Sequence, residues 1–277
     1  MSLVLTEARE IPGKGRLTRI AASTFNGLRD TGLALILPIL ILVAWQISAH
    51  FQLVSLQILP PPAQVLDIGL QMIANGEIPD ALFTSMWRVM AGFSIGAIVG
   101  ISLGAAMGLS RTFEAYVGPT VRAFCLVPTL AWIPFFMLVL GIGEGLKLAV
   151  IVKASFLPFA LNSFEGIRAV PERYFDVARS FEFTRIETLR RLVLPAVLPN
   201  IFAGARLALG NAWKALVVVE MLAAAEGIGY LMAFGRLMFQ LDTVLVTIAV
   251  IGLAGWTLDT IARGAERRFT RWSGHAA

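Results

Sequence analysis

Cysteine, histidine and charged side chains are all scarce in this chain of 277 residues. One cysteine and two histidines are present, which excludes an intrachain disulfide and a cysteine-rich metal site. Charged residues make up 15% of the sequence and hydrophobic residues 57%. An average soluble domain holds about 25% charged residues, so the composition indicates a protein that folds in a lipid bilayer.

Lysine and arginine are absent over one long stretch, between Arg29 and Arg88. They collect instead before residue 30, within residues 165–191 and after residue 262. The net charge of +5 therefore follows membrane topology, in which cytoplasmic segments hold the cations. This distribution argues against a nucleic-acid partner. The first thirty residues have no apolar core, which predicts a basic cytoplasmic tail and not a cleaved signal.

Six segments are apolar and long enough to cross a bilayer as helices, which takes roughly 20 residues. They lie at residues 31–50, 81–109, 115–140, 146–165, 200–222 and 243–262. An even number of spans with cytoplasmic cations predicts that both termini lie inside the cell. The fold class predicted is an all-α integral membrane protein. Prolines 60–62, followed by periodic apolar residues, predict a short interfacial helix in the first outer loop.

Glycine recurs at every fourth residue of the second span. Small residues at this spacing let two helix backbones approach closely in lipid, so they predict a packing stripe. The stripe drifts by about 40° per step around an ideal helix, which favours contact with more than one neighbour; a dimer face is an alternative. Its members are Gly92, Gly96, Gly100, Gly104 and Gly108.

The most charged segment, residues 165–191, has eleven charged side chains and the signals of two short helices. Pro171 suits the first position of a helix, and Thr184 followed by Glu187 forms a capping box that starts a second helix. Pro195 and Pro199 predict a change of direction into the fifth span. Both helices have apolar faces, which predict a cytoplasmic partner; a solvated loop whose arginines fix the orientation is the alternative.

This hairpin closely resembles the EAA loop of the membrane subunits of ATP-binding-cassette importers. The matching residues are Asp176, Ala178, Leu192, Leu194 and Pro195, whereas Glu182 stands where the family has glycine. The blocks "LVPTLAWIPFFMLVLGIGE", "AGARLALGNAW", "EGIGYLM" and "ERRFTRW" look like the sulfonate, taurine and nitrate branch of these permeases. The resemblance covers about residues 58 to 272.

The resemblance implies a type I importer permease fold in the bacterial inner membrane. It also implies a homodimer of permease subunits, two ATPase subunits and a periplasmic solute-binding protein. The domain division expected is a tail at 1–30, a first helix with a periplasmic segment at 31–80, a core at 81–265 and a basic tail at 266–277. The coupling loop is expected at 166–199. Its docking residues are Asp176, Ala178, Arg179, Ser180, Phe181, Glu182, Leu194 and Pro195.

The chain lacks the phosphate-binding pattern GxxxxGK[ST] that ATP hydrolysis would need. ATP and Mg²⁺ are therefore expected on the partner ATPase, no cofactor is expected on this chain, and the chain is not expected to be an enzyme. In the mechanism that this resemblance implies, ATP closes the dimer of ATPase subunits, and this closure moves the coupling loops that are docked on them.

Charged residues within the spans are costly in lipid and therefore informative. Lys153 and Lys214, with Asn211, are expected to line a pathway for an anion; in the alternative, each lysine pairs with a carbonyl or a carboxylate, Glu220 being the obvious acid. Arg88, Arg122 and Arg206 are expected to pair structurally, and Arg88 and Arg122 lie close enough to span ends to snorkel. Trp213 suits a cavity wall or packing.

The solute class predicted is a small anion such as a sulfonate, taurine, nitrate or an aromatic carboxylate. A neutral pyrimidine precursor of thiamine is an alternative, since permeases for it look similar. Two further alternatives are a secondary transporter, which would favour carboxylates deep in the spans, and a membrane scaffold for a cytoplasmic enzyme.

Overall fold

The computed structural model describes residues 36–55 and 58–270, and every regular element within these ranges is helical. The predicted tail at 1–30, the first residues of the first span and the last seven residues of the chain lie outside them. The first helices are α1 (Ile36–His50), α2 (Pro62–Ala74), α3 (Glu77–Leu109), α4 (Arg111–Leu126), a 3-10 turn (Thr129–Trp132), α5 (Ile133–Leu140) and α6 (Glu144–Arg168). The remaining helices are α7 (Glu172–Ser180), α8 (Arg185–Glu187), a π-helical turn (Thr188–Val193), α9 (Leu194–Ala223), α10 (Ile228–Leu237) and α11 (Leu241–Phe269).

The chain divides into two compact units, residues 1–64 and 65–277. In the first unit, the indole Nε1 of Trp45 on α1 donates a hydrogen bond of 3.0 Å to the carbonyl of Pro60. A helix is present at the position predicted after the prolines, as α2. Its buried Met72 packs with Ile78 and Val246.

Three helices in the described residues are long and apolar enough to cross a membrane: α3, the continuous helix Arg185–Ala223, and α11. The α4 and α5 pair is a fourth if it is counted as one broken span. Helices also occupy the other two predicted positions, as α1 and α6. The protein is therefore an all-helical, multi-pass membrane protein of the predicted class.

The predicted third span, 115–140, is not one helix, which corrects the sequence interpretation. Its two halves meet at an angle of 96°. The chain is extended at Val127, with φ −86° and ψ 117°, because a residue that precedes proline is disfavoured in the helical region. Pro128 thus breaks a segment whose hydropathy is continuous.

The glycine stripe of α3 packs against α6 alone, and not against several helices. A Cβ atom built on Gly92 would meet Ile151 at 2.5 Å, and one built on Gly108 would meet Ile167 at 2.8 Å. The three glycines between them face residues 155–163 of the same helix. The contact advances four residues on both helices at each step. The line of contact therefore drifts around α3 and α6 alike, and the two helices wind around each other.

Helix α6 lies between α3 and α9. On the α9 side, Gly204 packs closely against Asn162 of α6: a Cβ atom added to Gly204 would lie 2.8 Å from the Cβ of Asn162. Leu146 and Val150 of α6 pack with Ala215 and Val219 of α9. Close packing on both faces explains how α6 holds charged residues inside the bundle.

The roles predicted for three prolines need correction. Pro171 precedes α7 as its N-cap and is not its first residue. Pro195 and Pro199 do not turn the chain, since the helix runs without interruption from Arg185 to Ala223. The π-helical turn before Pro195, in which the Leu194 N–H donates to the Leu189 carbonyl, is wider than an α turn, and we attribute to it the room for a proline ring.

Candidate functional site

The hairpin between α6 and α9 is closed by a Schellman motif at the end of α7. The Phe183 N–H donates to the Ala178 carbonyl at 3.0 Å, and the Glu182 N–H donates to the Arg179 carbonyl at 2.9 Å. This motif requires a left-handed residue, and Glu182 has φ +53°. Glycine adopts this conformation readily, so the glycine of the family would suit the position that Glu182 occupies here.

The second helix of the hairpin begins at the predicted capping box. The Thr184 hydroxyl accepts a hydrogen bond from the Glu187 N–H at 3.3 Å, and the Glu187 carboxylate accepts one from the Thr184 N–H at 3.0 Å. The Thr184 hydroxyl also donates to the Glu187 carboxylate at 2.9 Å. The two hydrogen bonds that the carboxylate accepts, from the Thr184 N–H and hydroxyl, favour its charged form and hold the pKa of Glu187 below its ordinary value. Local hydrogen bonds thus fix the turn on both sides.

Six of the predicted docking residues lie on α7 and the turn after it, and the other two begin α9; all but one of the eight are exposed. Ala178 is buried, whereas Phe181 is 70% exposed. Asp176 and Arg179 form an exposed ion pair of 3.1 Å, and the Ser180 hydroxyl donates to the Asp176 carbonyl. The other exposed members are Glu182, Leu194 and Pro195.

A groove of about 630 Å³ lies beside these residues. Its walls come from both arms of the hairpin and from Leu109 at the end of α3. Ile186 on its edge is 65% exposed. The apolar faces predicted from the sequence are therefore open except at two residues: Ala178 is buried, and Val193 is buried with Ile167 and Val197.

Lys153 lies inside the bundle at the break between α4 and α5. Its Nζ donates to the carbonyl of Val127 at 2.7 Å and to the hydroxyl of Thr129 at 3.3 Å. The carbonyl partner matches one of the two sequence interpretations, and Glu220 is not its partner. Thr129 and Trp132, which border this lysine, were not singled out from the sequence; Pro128 was the available signal for a break.

The other two pathway candidates lie on one exposed face of α9. Asn211 and Lys214 are separated by three residues and are both exposed in the monomer. Trp213 points the other way: it is buried and its Nε1 donates to the Ile251 carbonyl of α11 at 3.2 Å. Trp213 is therefore a packing residue and is not part of the same surface.

Arg88 is buried in a network of ion pairs, and two of its partners lie at helix ends: Glu144 is the first residue of α6, and Glu226 lies between α9 and α10. Its guanidinium reaches Glu144 at 2.7 Å, Glu220 at 2.8 Å and Glu226 at 2.7 Å. Lys147 also contacts Glu144, at 2.6 Å. Structural pairing was predicted for Arg88, but its partners were not, because Glu144 and Glu226 are distant in the chain and lie in segments assigned to loops.

The two other arginines occupy different surroundings. Arg206 on α9 pairs with Asp259 of α11 at 2.7 Å, as expected for a structural role. Arg122 is more weakly held, at 3.4 Å from Glu114, with a 60% exposed side chain. Within the described residues, no group of three histidine, cysteine, aspartate or glutamate side chains is placed to hold a metal ion.

Comparison with known proteins finds relatives over most of the chain. The putative aliphatic sulfonates transport permease protein SsuC of Bacillus subtilis is 35% identical over 238 residues, which cover 86% of each protein. The taurine transport system permease protein TauC of Escherichia coli is 33% identical over 239 residues, covering 84% of this chain and 87% of that protein.

Solved structures show the same fold. A chain of the MetNI methionine ABC transporter in an inward-facing conformation aligns with a TM-score of 0.62 at 14% identity, covering 70% of this chain and 96% of that one. The family described as "Binding-protein-dependent transport system inner membrane component" matches residues 96–272. The chain belongs to this family of ATP-binding-cassette importer permeases.

Proposed function

We propose that this permease passes a small organic anion, of the sulfonate class, from a periplasmic binding protein to the cytoplasm. The functional unit is a homodimer of permeases with two ATPase subunits, and both chain termini lie in the cytoplasm. The single observation that supports this proposal most strongly is the hairpin of residues 172–193. It presents open apolar side chains at one end of a membrane bundle, where a motor subunit would dock.

Docking is proposed to rest on Phe181 and the groove beside it. An exposed aromatic side chain next to an apolar groove is typical of an anchor in a protein interface. The Schellman motif at Glu182 and the capping box at Thr184 hold the hairpin in one shape, which reduces the entropy lost on binding. A rigid hairpin can transmit a displacement directly to α9, because the helix from Arg185 to Ala223 is continuous.

The anionic nature of the solute is supported by two lysines and by the relatives. Lys153 lies within the bundle and Lys214 on the exposed face of α9, and a cation along a pathway lowers the barrier for an anion. Two relatives are described as permeases for aliphatic sulfonates and for taurine, and both are organic sulfonates. A sulfonate-bearing solute fits both observations.

Co-purification of the tagged permease with its ATPase tests the docking proposal. Phe181→Ser should lower the recovered ATPase at least about tenfold, the scale expected for an interface anchor, with unchanged amounts of permease. Phe239→Ser is the matched control, since Phe239 is a similarly exposed phenylalanine in the turn between α10 and α11. Equal recovery of ATPase with the two variants would contradict docking at the hairpin.

A transport assay tests the solute class. Membrane vesicles that contain the complete importer and its binding protein should accumulate radiolabelled taurine or ethanesulfonate when ATP is supplied on the ATPase side. Accumulation of a neutral pyrimidine instead, or uptake that persists without ATP, would contradict the proposal.

A further inference from the structure

The break between α4 and α5 places a buried cation among neutral acceptors. The side chain of Lys153 comes from α6 and the residue is 9% exposed. Two of its three N–H groups donate to the Val127 carbonyl and the Thr129 hydroxyl. No carboxylate within the described ranges 36–55 and 58–270 forms an ion pair with Lys153. One N–H is therefore left without an acceptor there, and the positive charge is left without a carboxylate.

An aromatic surface lies beside this ammonium group. The Nζ atom is 6.0 Å from the centroid of the Trp132 ring, which stacks on Phe124 at 5.1 Å with an interplanar angle of 13°. Together with Val127, both rings line a shallow cavity of about 480 Å³ that is largely open on one side. Trp132 thus borders both the charged group and the cavity.

The indole of Trp132 also presents a donor that is not satisfied. Its Nε1 is buried, and no acceptor in the described part of the chain lies within hydrogen-bond distance. A buried N–H without an acceptor is destabilising, and so is a buried cation without a counter-ion. A single anionic group with several oxygens, in reach of both, would relieve the two costs together.

We propose that the break at Val127 and Pro128 forms an intramembrane binding site for a small organic anion. Lys153 and the Nε1 of Trp132 bind the sulfonate or carboxylate group, and the rings of Phe124 and Trp132 contact the apolar part of the solute. The proposal deepens the proposed function, on which it rests for the class of solute. It assigns selectivity for a charged head with an apolar body to this permease and not to the binding protein alone.

A simpler role for Lys153 would be to cap the carbonyl that the end of α4 leaves free. Capping and anion binding predict different behaviour of a reporter placed beside the lysine. Cys125, the one cysteine of the chain, is two residues before Val127, whose carbonyl accepts the hydrogen bond from Lys153 at 2.7 Å. It can therefore report both the local potential and the occupancy of the site without any engineered residue.

The experiment labels Cys125 in the complete importer in nanodiscs. Anionic sulfonatoethyl and cationic trimethylammonioethyl methanethiosulfonates are compared, each normalised to its rate with a free thiol. The anionic reagent should react about tenfold faster than the cationic one because a unit charge a few ångströms away attracts it. Butanesulfonate, added as the probe, should slow the labelling in a saturable way.

Variants separate the contributions. Lys153→Met should bring the two rates together and abolish protection by butanesulfonate, whereas Lys153→Arg should keep both effects. Trp132→Phe retains an aromatic ring but removes Nε1, so it should weaken protection without changing the charge preference. Arg236→Met, which removes a charge from an exposed position on α10, should leave both measurements unchanged.

Two results would overturn the site. Equal rates for the two reagents would show that no uncompensated cation faces Cys125. Charge preference without protection by butanesulfonate would assign Lys153 to capping alone. If Lys153→Met does not assemble, the labelling rates and the protection by butanesulfonate in the unmodified protein and in Lys153→Arg still test the site. The labelling does not depend on transport, so a failure of the site leaves hairpin-dependent ATPase recovery intact, and a failure of docking leaves the labelling pattern intact.

Discussion

Arg88 on α3 and Glu220 on α9 lie 132 positions apart and form an ion pair of 2.8 Å in which both side chains are buried. The same guanidinium binds Glu144 at the start of α6, so one side chain joins three helices. The Glu220 carboxylate also accepts hydrogen bonds from the Ser85 hydroxyl and the Gly229 N–H. The start of α10 is thereby tied to the same cluster, which lies at the opposite end of α3 from the hairpin.

Removal of Arg88 should be strongly destabilising. Arg88→Leu leaves Glu220 charged and buried, which costs about 3–5 kcal/mol in comparable buried pairs. The double variant Arg88→Leu with Glu220→Leu should recover part of this loss, because no buried charge is then left unpaired. Denaturant unfolding in mixed micelles measures both.

Arg206→Leu is the matched control for this prediction. Its ion pair with Asp259 has a similar length, 2.7 Å, but both side chains are 40% exposed. Partly exposed pairs contribute only about 0.2–1 kcal/mol. If Arg88→Leu and Arg206→Leu destabilise the protein equally, the buried network does not hold the three helices together.

The glycine stripe gives a second prediction. A Cβ atom on Gly100 would lie 2.5 Å from the carbonyl oxygen of Phe156 and 2.7 Å from the Cβ of Phe159. Backbone atoms of a packed helix cannot move aside easily, so Gly100→Ala should cost about 1–3 kcal/mol, the range for overpacked cores. Thermal unfolding in nanodiscs measures the change.

Gly252→Ala provides the comparison for this substitution. Gly252 is a helical glycine of α11 and has no atom within 4 Å of an added Cβ. Alanine there should be neutral or stabilise by up to about 1 kcal/mol through helix propensity. A loss of stability at Gly252, or none at Gly100, would show that the close approach of α3 and α6 is not what makes the stripe necessary.

Features that depend on neighbours in the sequence could be predicted. The capping box needs only Thr184 and Glu187, three residues apart, and its hydrogen bonds are present. The left-handed conformation of Glu182 agrees with the resemblance, because the family has glycine at that position. The stripe of glycines was visible as a period of four residues, because close helix contact in lipid requires small side chains.

Features that depend on distant residues could not be predicted. The sequence shows that Arg88 needs partners, but not that Glu144 and Glu226 are brought to it by the packing of α3 on α6. The glycine stripe contacts a single helix because α3 and α6 wind around each other. The drift expected from the sequence holds only for an ideal straight helix. Pro128 breaks a span and Pro199 lies inside one, so proline alone does not decide where a membrane helix ends.

At Glu182, a substitution is expected to stabilise the protein, since glycine should suit this position better than glutamate. A non-glycine residue in the left-handed region costs about 1 kcal/mol, and Glu182 has φ +53°. Glu182→Gly should therefore stabilise the hairpin by up to about 1 kcal/mol, measured as slower amide exchange in residues 178–187. Arg190→Gly, in the helical part of the hairpin, should instead speed exchange; faster exchange in both variants would contradict a strained Glu182.

The capping box makes the hairpin sensitive to acid. Hydrogen bonds from the Thr184 N–H and hydroxyl hold the pKa of Glu187 below its ordinary 4.5, so the folded hairpin binds a proton less readily than the unfolded chain does. The stabilisation from this carboxylate is therefore complete above the unfolded pKa and is lost as the pH falls through the lower folded value.

Amide exchange of residues 184–190 should be slower in the unchanged protein than in Glu187→Gln at pH 6, and the difference should disappear on acidification below that folded pKa. Thr184→Ala, which removes the hydroxyl but keeps the carboxylate, should reduce the shift of the Glu187 pKa, visible in the carboxyl carbon resonance. A difference between the unchanged protein and Glu187→Gln that persists at all pH values would mean that side-chain shape, and not the charged carboxylate, holds this end of the hairpin.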